Sequence, residues 1–258
     1  MTLQGKTAIV TGANRGIGRA IARALGREGA ACVLCARDQQ KLTAVEREIV
    51  DSGGTACSLS LDLRVPDAPS QLVEFTVARY GRIDIVINNA GATRRGDFLE
   101  LSDDDFLDGF ALKYFGAVRI LRAAWPWLGK TGGSVVNIAG VGGRTPGAAF
   151  AIGGSVNAAL LSLTKSLAAA GLVEGIQVNA INPGAIKTER LEKRLAALAA
   201  ERNISPAAAE RVFVEREQVT RVGEPEDIAS LVVFVVSPAG RFLHGALIDA
   251  DGGATKTI

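Results

Sequence analysis

Tyrosine and histidine are scarce in this 258-residue chain: Tyr80, Tyr114 and His244 are all there is of them. His244 lies near the C-terminus and reads as structural rather than catalytic. Neither tyrosine has a lysine four residues after it. Cysteine is also sparse. Cys32 and Cys35 have C-x-x-C spacing, but they fall in an apolar run of strand character, where residues three apart point to opposite faces, so neither a metal site nor a redox pair is expected. Charge is close to balance, with 29 basic residues against 27 acidic ones, and the basic residues are scattered, so a nucleic-acid partner is not expected. No apolar run reaches membrane-spanning length, and Met1-Thr2-Leu3-Gln4-Gly5-Lys6 lacks the apolar segment of a signal peptide. A cytoplasmic protein without a membrane partner is the expectation.

What the chain has in quantity is apolar sequence, 48% of it, enough to bury a large core as one α/β domain over residues 1–258. Strand-like runs at Thr7-Val10, Ala31-Ala36, Ala56-Leu61, Asp84-Asn88, Ser134-Ile138, Gln177-Ile181 and Ala246-Ala250 alternate with helical patterns. The helical patterns include Asp38-Ser52, Pro66-Tyr80, Asp103-Leu128 and Ser155-Ala170. Several strands are apolar without alternation, as when helices cover both faces of a parallel sheet. The pattern predicts a doubly wound parallel sheet of about seven strands. Lys187 to Gly223 breaks the rhythm as a charged, Ala-rich helical insertion after a strand's C-terminal end. It is a candidate substrate lid, with a solvated helical excursion as the alternative.

The first strand runs into Thr11-Gly12-Ala13-Asn14-Arg15-Gly16-Ile17-Gly18 and then directly into a helix. A buried strand that breaks at glycines and opens into a helix offers backbone amides and a positive helix end to a pyrophosphate. Gly12 would turn the chain, Gly16 would admit the ligand to the backbone, and Gly18 would let helix and sheet approach.

Four further motifs follow in order: Asp62-Leu63, Asn88-Asn89-Ala90-Gly91, Asn182-Pro183-Gly184 with Thr188, and Asp251-Gly252-Gly253. Together with the glycine turn they make the chain resemble the short-chain dehydrogenase/reductase family over essentially its whole length. The resemblance implies a Rossmann fold, a nicotinamide dinucleotide, a small-molecule substrate, NAD(P)-dependent oxidoreductase activity and a homodimer or homotetramer. By the same resemblance, Asp62 and Leu63 would meet the adenine. Asn89, Ala90 and Gly91 would line the cofactor path, and Pro183, Gly184, Ile186 and Thr188 would frame the nicotinamide.

The second strand ends Cys35-Ala36-Arg37, where an acidic residue would accept from a free ribose 2′-hydroxyl. Arg37, with Arg15 as a second cation, suits a 2′-phosphate, so NADP(H) is favoured over NAD(H). Asp38 beside it is the opposing feature. The catalytic set is where the chain departs from the family. The resemblance implies a Ser, a Tyr acting as general acid, a Lys four residues later and an Asn on the preceding helix. The aligned positions are Gly140, Gly153, Asn157 and Lys113.

Three readings stay open. Lys113 and Asn157, an exchange of the family's Asn and Lys, would stabilise a developing alkoxide by a non-standard mechanism, with water or Tyr114 as proton donor. Alternatively the protein is a catalytically inactive binder of NADP(H) or a small anion. In that reading Gly140, Gly142, Gly143, Gly147, Gly153 and Gly154 open the pocket, a helix starting near Gly153 aims free amides into it, and Arg144 and Lys113 are charge partners. The third reading is a non-catalytic subunit of a reductase assembly.

Overall fold

The computed structural model describes residues 1–257. Among them are strands β1 (Thr7–Thr11), β2 (Ala31–Ala36), β3 (Thr55–Ser60), β4 (Ile85–Asn88), β5 (Ser134–Ile138), β6 (Gln177–Pro183) and β7 (Leu247–Ala250). All pair in parallel in the order β3-β2-β1-β4-β5-β6-β7. The helices are α1 (Gly16–Arg27), α2 (Gln39–Asp51), α3 (Ala68–Tyr80), α4 (Asp103–Gly109), α5 (Gly116–Thr131), α6 (Ala151–Glu174), α7 (Glu189–Arg202), α8 (Pro206–Glu217) and α9 (Pro225–Val236).

Parallel neighbours require a crossover over one face of the sheet, which puts an apolar helix stripe on each side. Ala8, Val10, Cys32 and Leu34 face the layer made by α1, α2 and α9. Ile9, Val33 and Cys35 face α3 and α5. Cys32 and Cys35 therefore lie on opposite faces of the sheet, as the strand period requires. The strand order reverses between β1 and β4, the point at which open parallel sheets form their crevice at the carboxyl ends of the strands.

Two expectations are corrected here. The helix expected over Asp103-Leu128 is α4, a π-helical turn (Phe110–Phe115) and α5. The π turn closes i to i+5 rather than i to i+4, so it shifts the register of every residue after it. The helix Ala148–Glu174 is also long and apolar enough, by length and composition, to cross a membrane, contrary to the reading that no run is. Gly153, Gly154, Ser155 and Asn157 interrupt its apolar character in the sequence. In the fold it is a core helix, with Ile152, Val156, Leu160 and Leu161 buried beside β5 and β6.

The insertion at 187–223 folds into the α7–α8 pair around a small core of its own, Leu191, Leu195, Phe213 and Val222. Its base is closed by a parallel bridge between Ile186 and Gly223, with Lys187 N donating to Gly223 O at 2.7 Å.

At the amino end of the central strand β4, Asp84 is buried and accepts from Arg82 Nε (2.7 Å), Thr7 N (2.9 Å) and Lys6 Nζ (3.1 Å). Burial pushes its carboxyl up, but these donors outweigh burial and hold it below the usual carboxylate value. Arg82 and Lys6 can turn to water when Asp84 is lost, whereas the Thr7 N–H cannot. Asp84→Ala is therefore expected to cost about 1–3 kcal/mol, the desolvation of one buried donor, measured by urea denaturation. The wild-type advantage is fully present above the unfolded carboxylate value and is lost as pH falls through the lower folded one.

Candidate functional site

The crevice begins at the β1–α1 turn. Gly12 and Gly16 have φ of 64° and 53°, a region side chains avoid. A Cβ at Gly18 would fall 2.2 Å from the Gly12 carbonyl oxygen, so only glycine lets α1 start this close to the strand. Asn14 and Ile17 are half-buried within the turn. Asn89 braces it from β4: Nδ2 donates to Thr11 O at 2.9 Å, while Asn89 N and Ala90 N donate to Thr11 Oγ1 at 2.9 and 3.0 Å. The first turn of α1 carries no acidic residue and no side-chain cap, so its amides remain available to an anion. Across the crevice, a Cβ at Gly16 would stand 3.1 Å from Thr188 Cγ2. Ile186 is buried there, and Pro183 and Gly184 continue β6 under a close approach of Asp251. These residues fit a dinucleotide: a glycine cradle, unspent helix amides and no carboxylate in the first helical turn.

At the end of β2, Arg37 is exposed and lies 3.8 Å from Asp62, which is half-buried beside the buried Leu63. Asp38 is occupied as the N-cap of α2, accepting from Lys41 N at 3.1 Å. Arg15 pairs instead with Glu189 of the 187–223 insertion at 2.7 Å.

The structure brings Lys113 and Asn157 together. Lys113 sits in the π turn, and its Nζ donates to Asn157 Oδ1 at 2.6 Å and to the carbonyl of Ala139 at the end of β5. Its stem packs under Gly91, where a Cβ would stand 2.9 Å from Lys113 Cδ. Burial, and secondarily the nearby Arg190 guanidinium, pushes the Lys113 ammonium down to about 7. Tyr114 is spent elsewhere, packed edge-on between Phe110 and Phe115.

Apart from Gly147, which stands in open space, the glycines of this region are close-packed rather than open. A Cβ at Gly153 would fall 2.0 Å from Phe150 Cζ, and one at Gly142 would fall 2.7 Å from the same ring. The space that a tyrosine at 153 would claim is thus filled by Phe150, which corrects the expected open pocket. Gly143 approaches Asn157 Cβ within 2.9 Å by the same measure, and Gly140 has φ of 135°. Helix α6 starts at Ala151, two residues before Gly153, so Gly153 and Gly154 lie inside its first turn. Arg144 is not a free charge partner: it is paired with Asp249 at 2.7 Å. His244 Nε2 meets Ala168 O at 2.6 Å and pins the β7 approach to α6.

Sequence reasoning missed three arginines. Arg95, in the loop after β4, stacks its guanidinium 4.1 Å over the Phe150 ring. Arg190 on α7 reaches to 3.5 Å from Gly91 O, and Arg194, one turn on, lies 5.4 Å over Phe213. The Arg94-Arg95 doublet and the i, i+4 spacing of Arg190 and Arg194 were the only signals.

A family model described as Enoyl-(Acyl carrier protein) reductase matches residues 12–255. An uncharacterised oxidoreductase of Mycobacterium tuberculosis is 38% identical over 258 residues, covering 98% of this chain and 93% of that protein. The crystal structure of L-sorbose reductase from Gluconobacter frateurii, complexed with NADPH and L-sorbose, superposes with a TM-score of 0.95 at 29% identity, covering all of both chains. A short-chain dehydrogenase from Burkholderia cenocepacia in complex with NADP gives 0.86 at 31% identity, over 98% of this chain and 99% of that one. With the glycine turn, the Asn89 brace and the β6 loop in the expected places on a seven-stranded parallel sheet, the chain belongs to the short-chain dehydrogenase/reductase family of oxidoreductases.

Proposed function

We propose that the protein is an NADP(H)-dependent oxidoreductase that interconverts a carbonyl and a hydroxyl group with Lys113 in place of the family tyrosine. It acts as one domain with residues 187–223 as its substrate lid. The observation that carries this is the Lys113 ammonium, held by Asn157 Oδ1 and the Ala139 carbonyl and shifted to about 7. A proton donor is most effective when its pKa lies near the working pH.

The residues that would hold the cofactor are those of the β1–α1 turn, Arg37, Asp62, the Asn89–Gly91 loop and the Pro183–Thr188 loop. Held there, NADPH would supply the hydride that reduces the carbonyl carbon. Lys113 Nζ gives its proton to the carbonyl oxygen as the C=O bond opens, and the neutral amine recovers a proton from water. Asn157 and Ala139 fix the direction of the Nζ–H groups, and the remaining N–H is the one free to act. In the reverse direction the neutral amine accepts the hydroxyl proton.

Arg37 favours NADP(H), with Asp38 turned to its helix cap and unable to serve a ribose in that rotamer. NADPH-bearing neighbours support the same preference. A fluorescence titration is expected to show NADPH binding at least tenfold tighter than NADH, corresponding to about 1.4 kcal/mol from one charge-assisted contact. Arg37→Glu should invert the order. Equal binding of the two cofactors removes Arg37 as the phosphate reader, and binding of neither removes the oxidoreductase reading.

A further inference from the structure

We infer that Arg64 is a positioning residue that sets cofactor specificity: it ties up the Asp62 carboxylate and so leaves Arg37 to the 2′-phosphate of NADP(H). The inference rests on the NADP(H) reading above and adds a residue that acts without touching the cofactor.

Arg37 has a rival partner within the chain. Its backbone is fixed, with Ser60 Oγ donating to Arg37 O at 2.9 Å, and its guanidinium lies 3.8 Å from Asp62 Oδ2. A carboxylate at that distance competes with a phosphate for the same N–H groups, and its charge repels the phosphate that Arg37 is to hold. Left to itself, Asp62 would favour the cofactor without the phosphate.

Asp62 is engaged from its other side. Arg64 Nη1 donates to its two oxygens at 3.3 and 3.4 Å, and Arg64 N donates to Oδ1 at 3.1 Å. The same guanidinium meets both oxygens of Asp108 on α4, Nε donating to Oδ1 and Nη2 to Oδ2, the latter at 3.1 Å. Arg37, Asp62, Arg64 and Asp108 thus form a chain of alternating sign from the end of β2, across the loop after β3, to α4. Isolated exposed ion pairs contribute little, but a two-pronged arginine–carboxylate pair within a network is the exception.

The loop that carries Asp62 and Arg64 is seated on the helices. Leu63 between them is buried, and α5 approaches so closely that a Cβ at Gly116 would stand 3.4 Å from Leu63 Cβ. Arg119 of α5 also donates from Nη1 to Arg64 O at 3.3 Å. The Arg64 side chain is 22% exposed where that of Arg37 is 62% exposed. The open end of the chain is the one free to take a ligand, and the anchored arginine is the one that neutralises its rival.

The test is fluorescence titration of the full chain with NADPH and NADH, read as the ratio of their affinities. The two cofactors differ only in the phosphate, so any contact of Asp62 with the adenine cancels in that ratio. Arg64→Gln is expected to cut the preference for NADPH about fivefold, the upper end for a partly exposed pair, with NADH affinity within about twofold of wild type. Arg64→Met, which keeps the apolar stem, should do the same and serves if glutamine impairs folding. Asp62→Asn alone should leave the preference at or above the wild-type value. Beside Asp62→Asn, the change at 64 should lower the preference by less than about twofold.

The inference is overturned if Arg64→Gln leaves the preference unchanged, or if it weakens NADPH and NADH equally, which would make Arg64 a support of the loop alone. It is also overturned if the loss persists in full beside Asp62→Asn, which would give Arg64 to the phosphate directly, or if Asp62→Asn alone lowers the preference. A wild type that binds the two cofactors equally removes the NADP(H) reading, and one that binds neither removes the dinucleotide. Either failure shows before any variant is made and takes this inference with it.

Discussion

Lys113→Met is expected to lower the reduction rate by on the order of a hundredfold or more, the usual worth of a positioned general acid, with NADPH affinity within a few-fold of wild type. The split matters because a lysine that merely supported the fold would weaken both. In wild type the reduction rate should fall as pH rises through about 7, where Nζ loses its proton, and the oxidation rate should rise over the same interval. Both inflections should vanish in the methionine variant. Unchanged turnover would remove Lys113 from the chemistry.

The same group leaves a mark on stability. An ordinary lysine titrates at 10.5 and Lys113 in the fold at about 7, so between those values the unfolded chain binds more protons than the folded one. Stability therefore rises with pH across that window and is lowest below it, the reverse of a lysine that gains an acidic partner. Urea denaturation of wild type from about pH 6.5 to about pH 10 should show the rise, and Lys113→Met should lack this contribution.

Gly153→Tyr, the substitution that would rebuild the family's acid at its aligned position, is expected to destabilise the protein rather than restore it. Its Cβ alone would meet Phe150 at 2.0 Å. Phe150 is half-buried and its ring must move aside, and overpacking of this kind costs about 1–3 kcal/mol. Adding Phe150→Ala should return most of the loss, because the ring and the new side chain compete for one space. A double-mutant cycle by thermal or urea unfolding measures this. If Gly153→Tyr is harmless alone, Phe150 does not fill the tyrosine position. Adding Asn157→Lys to the pair tests function: a variant no faster than wild type argues that Lys113 already supplies what the lost pair supplied.

The sheet was legible because the apolar runs at β1, β2 and β5 are continuous and end at glycine or charge; β2 and β5 have the bounds expected and β1 runs one residue further, to Thr11. The π turn was not, because its extra residue leaves the apolar spacing from Leu112 to Leu121 nearly intact. Lys113 and Asn157 could be placed by alignment, but their 2.6 Å contact depends on where that turn points them. Phe150 could be seen only as the nearest aromatic. Whether its ring filled the tyrosine's space is a matter of rotamer and of how closely the Gly142 loop approaches, which no spacing encodes. Arg95, Arg190 and Arg194 were hidden for a different reason: basic residues are numerous everywhere in this chain.

The insertion has its own apolar centre and returns to the sheet at the bridge between Ile186 and Gly223. Apart from Thr188, Glu189 and Arg190, which face the glycine turn and Gly91, its helices can therefore be rewritten without disturbing the layers that seat the dinucleotide. As the proposed substrate lid, it lets a lineage carrying this architecture change which molecules it accepts by exchanging residues 191–217 as a cassette, while the reaction chemistry is inherited with the scaffold.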